Sequence, residues 1–278
     1  MIHIKARILL TRIVTVYILF FLLLRLVTLV TPSGLLQPVI SYSGFDIGLW
    51  IFKFTGITDL ITEHRAAAIC FDILLFLSGA GVLLFPLKRG LVILFAICLY
   101  LLGILYKMYS ISNHLSLAGF MLVMIPFVIK NETKFNFAWE GLRYFFCLIY
   151  FISFCWKAFT GALFYFQNGE GSVRLSLAEY IYTYPRGIYT HFIRWLLAHG
   201  WILNTASLFL FLLEGAMVIG LFTKKYDRIL FWFPVIIHVA TYIFIDISYL
   251  ELLVLDISLL PISLFRSNSL RAATNYEK

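Results

Sequence analysis

The sequence predicts an all-α fold, a polytopic transmembrane helical bundle of about eight spans with its N- and C-termini cytoplasmic. Three observations carry this. Hydrophobic residues make up 62% of the 278 and charged residues only 13%, and the mean hydropathy is +0.94, far outside the soluble globular range. The apolar residues fall into runs near the length of about 20 that a helix needs to cross a bilayer. The lysines and arginines gather in alternate short turns between those runs.

The first run, 8–30, follows a basic start with Lys5 and Arg7. It is too long for the core of a signal peptide, carries Arg12 and Arg25, and lacks a small-residue cleavage site, so it is expected to stay as span one. The segment 39–55 is apolar but short and rich in Gly, Ser and Phe, which suits an interfacial or re-entrant piece. Further spans are drawn at 66–86, 90–107, 112–129, 137–158, 203–222, 229–246 and 248–265. Only the seventh of these spans, with Pro234, looks interrupted. No internal repeat or low-complexity linker divides the chain, so 1–278 reads as a single transmembrane domain.

Between the fifth and sixth spans lies 159–202. It is rich in tyrosine (Tyr165, Tyr180, Tyr182, Tyr184, Tyr189), with Trp195 and Trp201 near its end. Within it, 187–201 suits an interfacial helix with aromatic rings at headgroup depth. This extracytoplasmic loop is either a lid over an outward-facing cavity or simply an aromatic belt.

Orientation follows from the basic turns. Lys5 and Arg7, Lys88 and Arg89, Lys130 and Lys134, Lys224, Lys225 and Arg228, and Arg266, Arg271 and Lys278 all fall on one side of an eight-span arrangement. That side is cytoplasmic, and a plasma membrane is the expected location. A net charge of +8 invites a nucleic-acid reading, but the basic residues form no stripe with interleaved aromatics, and nucleic acid is excluded as a partner. The lipid bilayer is the partner that this composition demands. Cys70, Cys98, Cys147 and Cys155 lie in apolar stretches without paired spacing and read as small buried hydrophobes.

An ionisable side chain at membrane depth costs roughly 2.5–3.5 kcal/mol on insertion scales, so it usually faces a protein interior and has a use. By the drawn spans Arg25, Asp72, His114 and Lys157 fall in the outer halves of their helices, and His238 and Glu214 lie near the middle of theirs. These groups can converge on one cavity opening outward, with Arg25 and Asp72 neutralising each other. Each also has a plainer reading. Lys157, near a helix end, either snorkels or serves a site. His114 either caps a helix or acts. Glu214 beside Gly215 is either a protonated packing residue or part of the site, and His238 must bond a neighbouring helix or a ligand. Glu251 and Asp256 read as hydrogen-bond partners within the bundle.

Chemically the set suits proton work. A lysine in a low-dielectric pocket can act as a free amine, and a histidine can hold a substrate oxygen. No phosphate loop, H-E-x-x-H or G-x-S-x-G is present, and no local metal spacing appears, so no metal is expected.

At these residues a family resemblance enters. Asn113-His114 before an apolar helix, then Tyr150-Phe151-Ile152-Ser153 with Lys157 after it, resembles the membrane domain of vitamin K-dependent gamma-carboxylases. The wider group is the horizontally transferred transmembrane domain family. The likeness covers 110–262. Glu214 followed by His238 resembles the family's next helix pair, while the tryptophan expected after the lysine is missing from 161–169. The resemblance implies a reduced quinone as cofactor, Lys157 as catalytic base, and His114 assisting the oxygen chemistry. Asn113 would position the quinone oxygen, and His238 would line the same pocket. Those carboxylases continue into a large soluble domain, whereas this sequence ends at Lys278. The expectation is therefore modification or maturation of a secreted peptide, with a soluble partner subunit in place of that domain.

Two other classes stand beside this quinone-linked enzyme. One is a non-enzymatic partner, an immunity or assembly protein for a secreted peptide, in which the same residues only hold helices together. The other is a small proton-coupled transporter with Glu214 and His238 as a relay, a class in which broken helices usually come in pairs.

Overall fold

The computed structural model describes residues 4–35, 47–108, 117–162, 168–245 and 252–260, and among them helix is the regular secondary structure throughout. Six helical stretches are long and apolar enough to cross a membrane: Ile4–Val27, Arg65–Leu84, Arg89–Met108, Glu132–Phe159, Gly200–Phe222 and Asp227–Ile245. The drawn spans 112–129 and 248–265 fall partly outside the described residues. There the structure describes Leu117–Val128 and Leu253–Asp256, the latter running into a 3-10 turn at Ile257–Leu259.

By contacts the chain divides into two compact units, Met1–Leu142 with Leu250–Lys278, and Arg143–Tyr249. In the first, α1 (Ile4–Val27) is followed by α2 (Ile47–Phe54), α3 (Ile57–Glu63), α4 (Arg65–Leu84), α5 (Arg89–Met108), α6 (Leu117–Val128) and the start of α7 (Glu132–Phe159). Its packing is that of a membrane protein. Along α1, Arg7, Thr11 and Thr15 are buried with Leu10, Val14 and Ile18, while Val16, Phe20 and Leu23 are exposed. An apolar exterior over a partly polar interior is costly in water and natural in lipid, where small and polar residues hold helices together. Gly79 shows the closeness of that packing, because a Cβ there would meet Leu19 at 2.7 Å and Phe95 at 3.0 Å.

One end of this unit is closed by arginines. Arg7 donates to the carbonyls of Phe127 at 2.9 Å and Lys130 at 3.3 Å, and Arg89 donates to Val128 at 2.5 Å. These bonds gather the N-terminal region, the 85–89 turn and the 128–131 turn at one level. They use carbonyls in the last turn of α6 and just beyond it, where the backbone has no intrahelical partner.

The second unit holds the rest of α7, then α8 (Asn168–Thr183), α9 (Ile188–Ala198), α10 (Gly200–Ala216), α11 (Ile219–Phe222), α12 (Asp227–Leu230) and α13 (Trp232–Ile245). The segment between the fifth and sixth drawn spans is thus two helices where it is described. Buried Val173 and Leu177 of α8, Ile193 and Leu196 of α9 and Leu203 of α10 form one apolar cluster. Arg143 of α7, almost fully buried, donates two bonds to the Asp227 carboxylate at 2.7 and 2.8 Å and one to the Thr223 carbonyl at 2.9 Å. It pins α7 to the 223–227 turn.

Two expectations need correction. The sixth span is interrupted as well as the seventh: α10 gives way to α11 at Met217 and Val218, whose amides bond Glu214 and Gly215 three residues back. Gly215 and Gly220 border that tightened stretch. Only Cys98 and Cys147 are buried; Cys70 and Cys155 lie on outer helix faces, where lipid rather than protein takes up an apolar thiol.

Candidate functional site

The second unit contains a cavity of about 330 Å³ lined by α7, α8, α10 and α13. Its walls follow helical periodicity. Leu203, Ser207, Leu210 and Glu214 form one stripe of α10, and Ile237, Thr241, Phe244 and Ile245 one stripe of α13. Most of the lining is apolar. The exceptions are Lys157 and Glu214, joined by Asn168, Ser172, Ser207 and Thr241.

Lys157 Nζ donates to both carboxylate oxygens of Glu214, at 2.5 and 2.6 Å, and Ser153 Oγ donates to Oε2 at 3.3 Å. The same ammonium lies 4.8 Å from the centre of the Phe211 ring. The Lys157 side chain keeps 30% of its surface exposed, whereas Glu214 keeps only 7%. Gly215 sits against α7 beside the pair. A Cβ at that position would fall 3.1 Å from the Phe154 ring, which would have to give by a few tenths of an ångström. The lysine is therefore no snorkelling residue. It is drawn to a counter-charge, which removes most of the cost of burying either group alone.

The roof of the cavity depends on Gly169. A Cβ there would lie 2.2 Å from the Leu203 carbonyl oxygen, so the start of α8 rests directly on the backbone of α10. Asn204 holds the contact, accepting from the Glu170 amide at 2.9 Å. Asn168, Gly169, Ser172 and Val173 are thereby brought to the lining.

His238 does not line this cavity, although its neighbours Ile237 and Thr241 do. Its ring is buried and turned to Tyr150, whose hydroxyl is hydrogen-bonded to Nε2, with ring centroids 5.9 Å apart. Arg25 and Asp72 belong to the first unit. Asp72 is buried and accepts from the Ser33 amide at 3.1 Å, while the Arg25 guanidinium lies 4.9 Å from the centre of the Tyr106 ring. Asp72 thus ties the turn after α1 to α4 and does not pair with Arg25. Asn113, His114 and Glu251 lie outside the described residues. Asp256 is buried in the first unit, and among the described residues neither of its oxygens has a hydrogen-bond partner.

Sequence reasoning passed over Arg143, although a charge inside the drawn span 137–158 is the same signal that picked out Lys157. It also passed over Ser207 and Thr241. Ser207 lies seven residues before Glu214 and so on the same helix face, a spacing that was there to be read. Among the described residues no cluster of His, Cys, Asp and Glu could hold a metal ion. Compared with known proteins, the chain matches no family model, no curated protein and no solved structure.

Proposed function

We propose that this chain is an integral membrane enzyme of the gamma-carboxylase-like, horizontally transferred transmembrane domain type, which takes a proton from a reduced, lipid-soluble quinone. The observation that carries the reading is the Lys157–Glu214 pair on the wall of an otherwise largely apolar cavity. The lining fits such a group. Leu210, Phe211, Ile237 and Phe244 suit a hydrocarbon ring and tail, and the ion pair offers both a donor and an acceptor to a ring hydroxyl. A reduced quinone supplies an acidic hydroxyl and, once ionised, electrons for dioxygen.

The residues divide the work differently from what the family resemblance implies, which is Lys157 as the base. In this arrangement the Glu214 carboxylate is the group that accepts the hydroxyl proton. Lys157 then supplies positive charge to the oxygen that loses its proton. Ser153 fixes the orientation of Glu214. His238, held by Tyr150, serves as a support behind the cavity wall. Modification or maturation of an exported peptide, with a soluble partner subunit, is the use that the family resemblance suggests.

We place eight spans in a plasma membrane, with both termini and the basic turns cytoplasmic and the cavity extracytoplasmic. Two observations support this. Arg7 and Arg89 meet the end of α6 at one level. In the second unit Lys157 lies fourteen residues along α7 from Arg143 at the basic turn, about 21 Å at the helical rise.

The test is oxygen uptake and quinone-epoxide formation by the purified protein supplied with a reduced naphthoquinone. Turnover by the native protein, and none by Lys157→Ala or Glu214→Gln, is expected. Failure of the native protein either to turn over or to bind the quinone would overturn the enzyme reading in favour of the non-enzymatic partner.

A further inference from the structure

Helix α9 presents two contrasting faces. Thr190, Ile193 and Leu196 are buried against the cluster that includes Val173 and Leu203. Ile188, Phe192 and Trp195, spaced at i, i+4 and i+7, point outward with 92%, 43% and 51% of their surface exposed. Beside this apolar stripe lie the exposed residues His191 and Arg194, with Arg186 in the turn just before the helix. Neither arginine meets a carboxylate among the described residues. Phe192 stacks on Trp195 with centroids 6.5 Å apart, and Trp195 lies 4.9 Å from the His199 ring, so the stripe continues as a row of rings.

The depth of this stripe can be read from its attachment. The Tyr189 hydroxyl donates to the Ile243 carbonyl near the end of α13. Ile243 lies sixteen residues beyond Asp227, which at 1.5 Å per residue is about 24 Å from the basic turn, against a hydrocarbon core of about 30 Å. The stripe therefore sits near the membrane boundary opposite Lys224, Lys225 and Arg228.

We infer that the outward face of α9 is a lipid-docking surface, with Ile188, Phe192 and Trp195 immersed at the acyl–headgroup boundary and Arg186 and Arg194 turned to phospholipid phosphates. Tryptophan prefers that boundary, because its ring is apolar while its N–H can still reach water or headgroups. An arginine fork matches a phosphate oxygen pair and needs a counter-charge, which no described carboxylate provides here. Charge complementarity and depth thus point to the same occupant. Since the buried face of α9 packs on Val173 and Leu203, which also line the cavity, the surface holds the cavity wall at the lipid boundary. The inference does not depend on what the cavity binds.

The test places a nitroxide at Ile188→Cys in full-length protein reconstituted in phospholipid vesicles. Exposed Cys70 and Cys155 are replaced by serine, and buried Cys98 and Cys147 are kept. Reference labels go at Lys225→Cys, in the basic turn, and at Leu212→Cys, on the outer face of α10. The expected result is a ratio of oxygen to nickel-chelate accessibility several-fold above that at Lys225 and below that at Leu212. A ratio equal to that at Lys225 would put α9 in water, and shielding from both reagents would mean that protein covers it; either overturns the inference. Brominated phospholipids provide a check on unlabelled protein. They should quench more fluorescence in the native chain than in Trp195→Phe, and equal quenching would count against immersion.

Discussion

Lys157 and Glu214, fifty-seven residues apart, form a two-pronged ion pair that bridges α7 and α10 on the wall of an apolar cavity. Neither helix would carry its charge cheaply alone. Together they make a compact polar spot on an otherwise largely apolar wall.

The pair should show itself in stability as strong coupling. Lys157→Ala leaves a carboxylate only 7% exposed without its counter-charge, and Glu214→Ala strands the ammonium. We expect Lys157→Met and Glu214→Leu each to lower stability for the same reason, and the two combined to recover most of it. A double-mutant cycle on thermal unfolding in detergent should give a coupling of about 0.5–3 kcal/mol. Additive single effects would mean that the pair contributes nothing as a unit.

Gly169 should tolerate no side chain. The nearest atom to an added Cβ is the backbone oxygen of Leu203 at 2.2 Å, which cannot rotate away. Gly169→Val is expected to push the start of α8 off α10 and break the Glu170–Asn204 bond, at a cost of about 1–3 kcal/mol from overpacking. Gly171 has nothing within 4 Å of its would-be Cβ, so Gly171→Ala is the control. The melting temperatures of the two variants decide the matter, and equal values would refute the close approach.

Arg143 and Asp227 form the second buried pair, and their geometry is stricter. The guanidinium uses two nitrogens on the carboxylate and one of them again on the Thr223 carbonyl. Arg143→Lys cannot reproduce that fork and should lose nearly as much as Arg143→Ala. Breaking a buried pair from one side costs about 3–5 kcal/mol. Unfolding midpoints of the three proteins provide the check; a lysine variant matching the native protein would show that charge alone suffices.

Cysteine accessibility tests the helix faces directly. A membrane-permeant maleimide should modify Cys70 and Cys155, while Cys98 and Cys147 react only after denaturation. Mass spectrometry counts the adducts. Rapid labelling of Cys98 or Cys147 in the folded protein would contradict the packing of α5 and α7.

Composition and run length were enough to predict helices of membrane-spanning size, because a bilayer leaves the backbone few other ways to satisfy its hydrogen bonds. The charges that matter were legible for the same reason: Lys157 and Glu214 stand out against hydrocarbon wherever they fold. Their partners were not. Arg25 and Asp72 suggest a pair by depth and opposite sign, yet Asp72 takes a backbone amide and Arg25 lies over Tyr106. His238 was expected in the cavity, but a small change in helix rotation sends a ring to Tyr150 rather than to the lining. The break after Gly215 was also hidden, since a turn tightened to i−3 bonds leaves no mark as plain as proline.

The sequence by itself determined that this is a helical protein with apolar helices long enough to cross a membrane, and which charges lie within them. Hydropathy acts residue by residue along the chain, so it can be read without knowing any neighbour. Only the tertiary structure decided that Lys157 meets Glu214, that Arg143 clamps Asp227 and that Gly169 seats α8 on α10. Those outcomes depend on the rotation and approach of helices far apart in sequence, settled by close packing over the whole unit rather than by any local pattern.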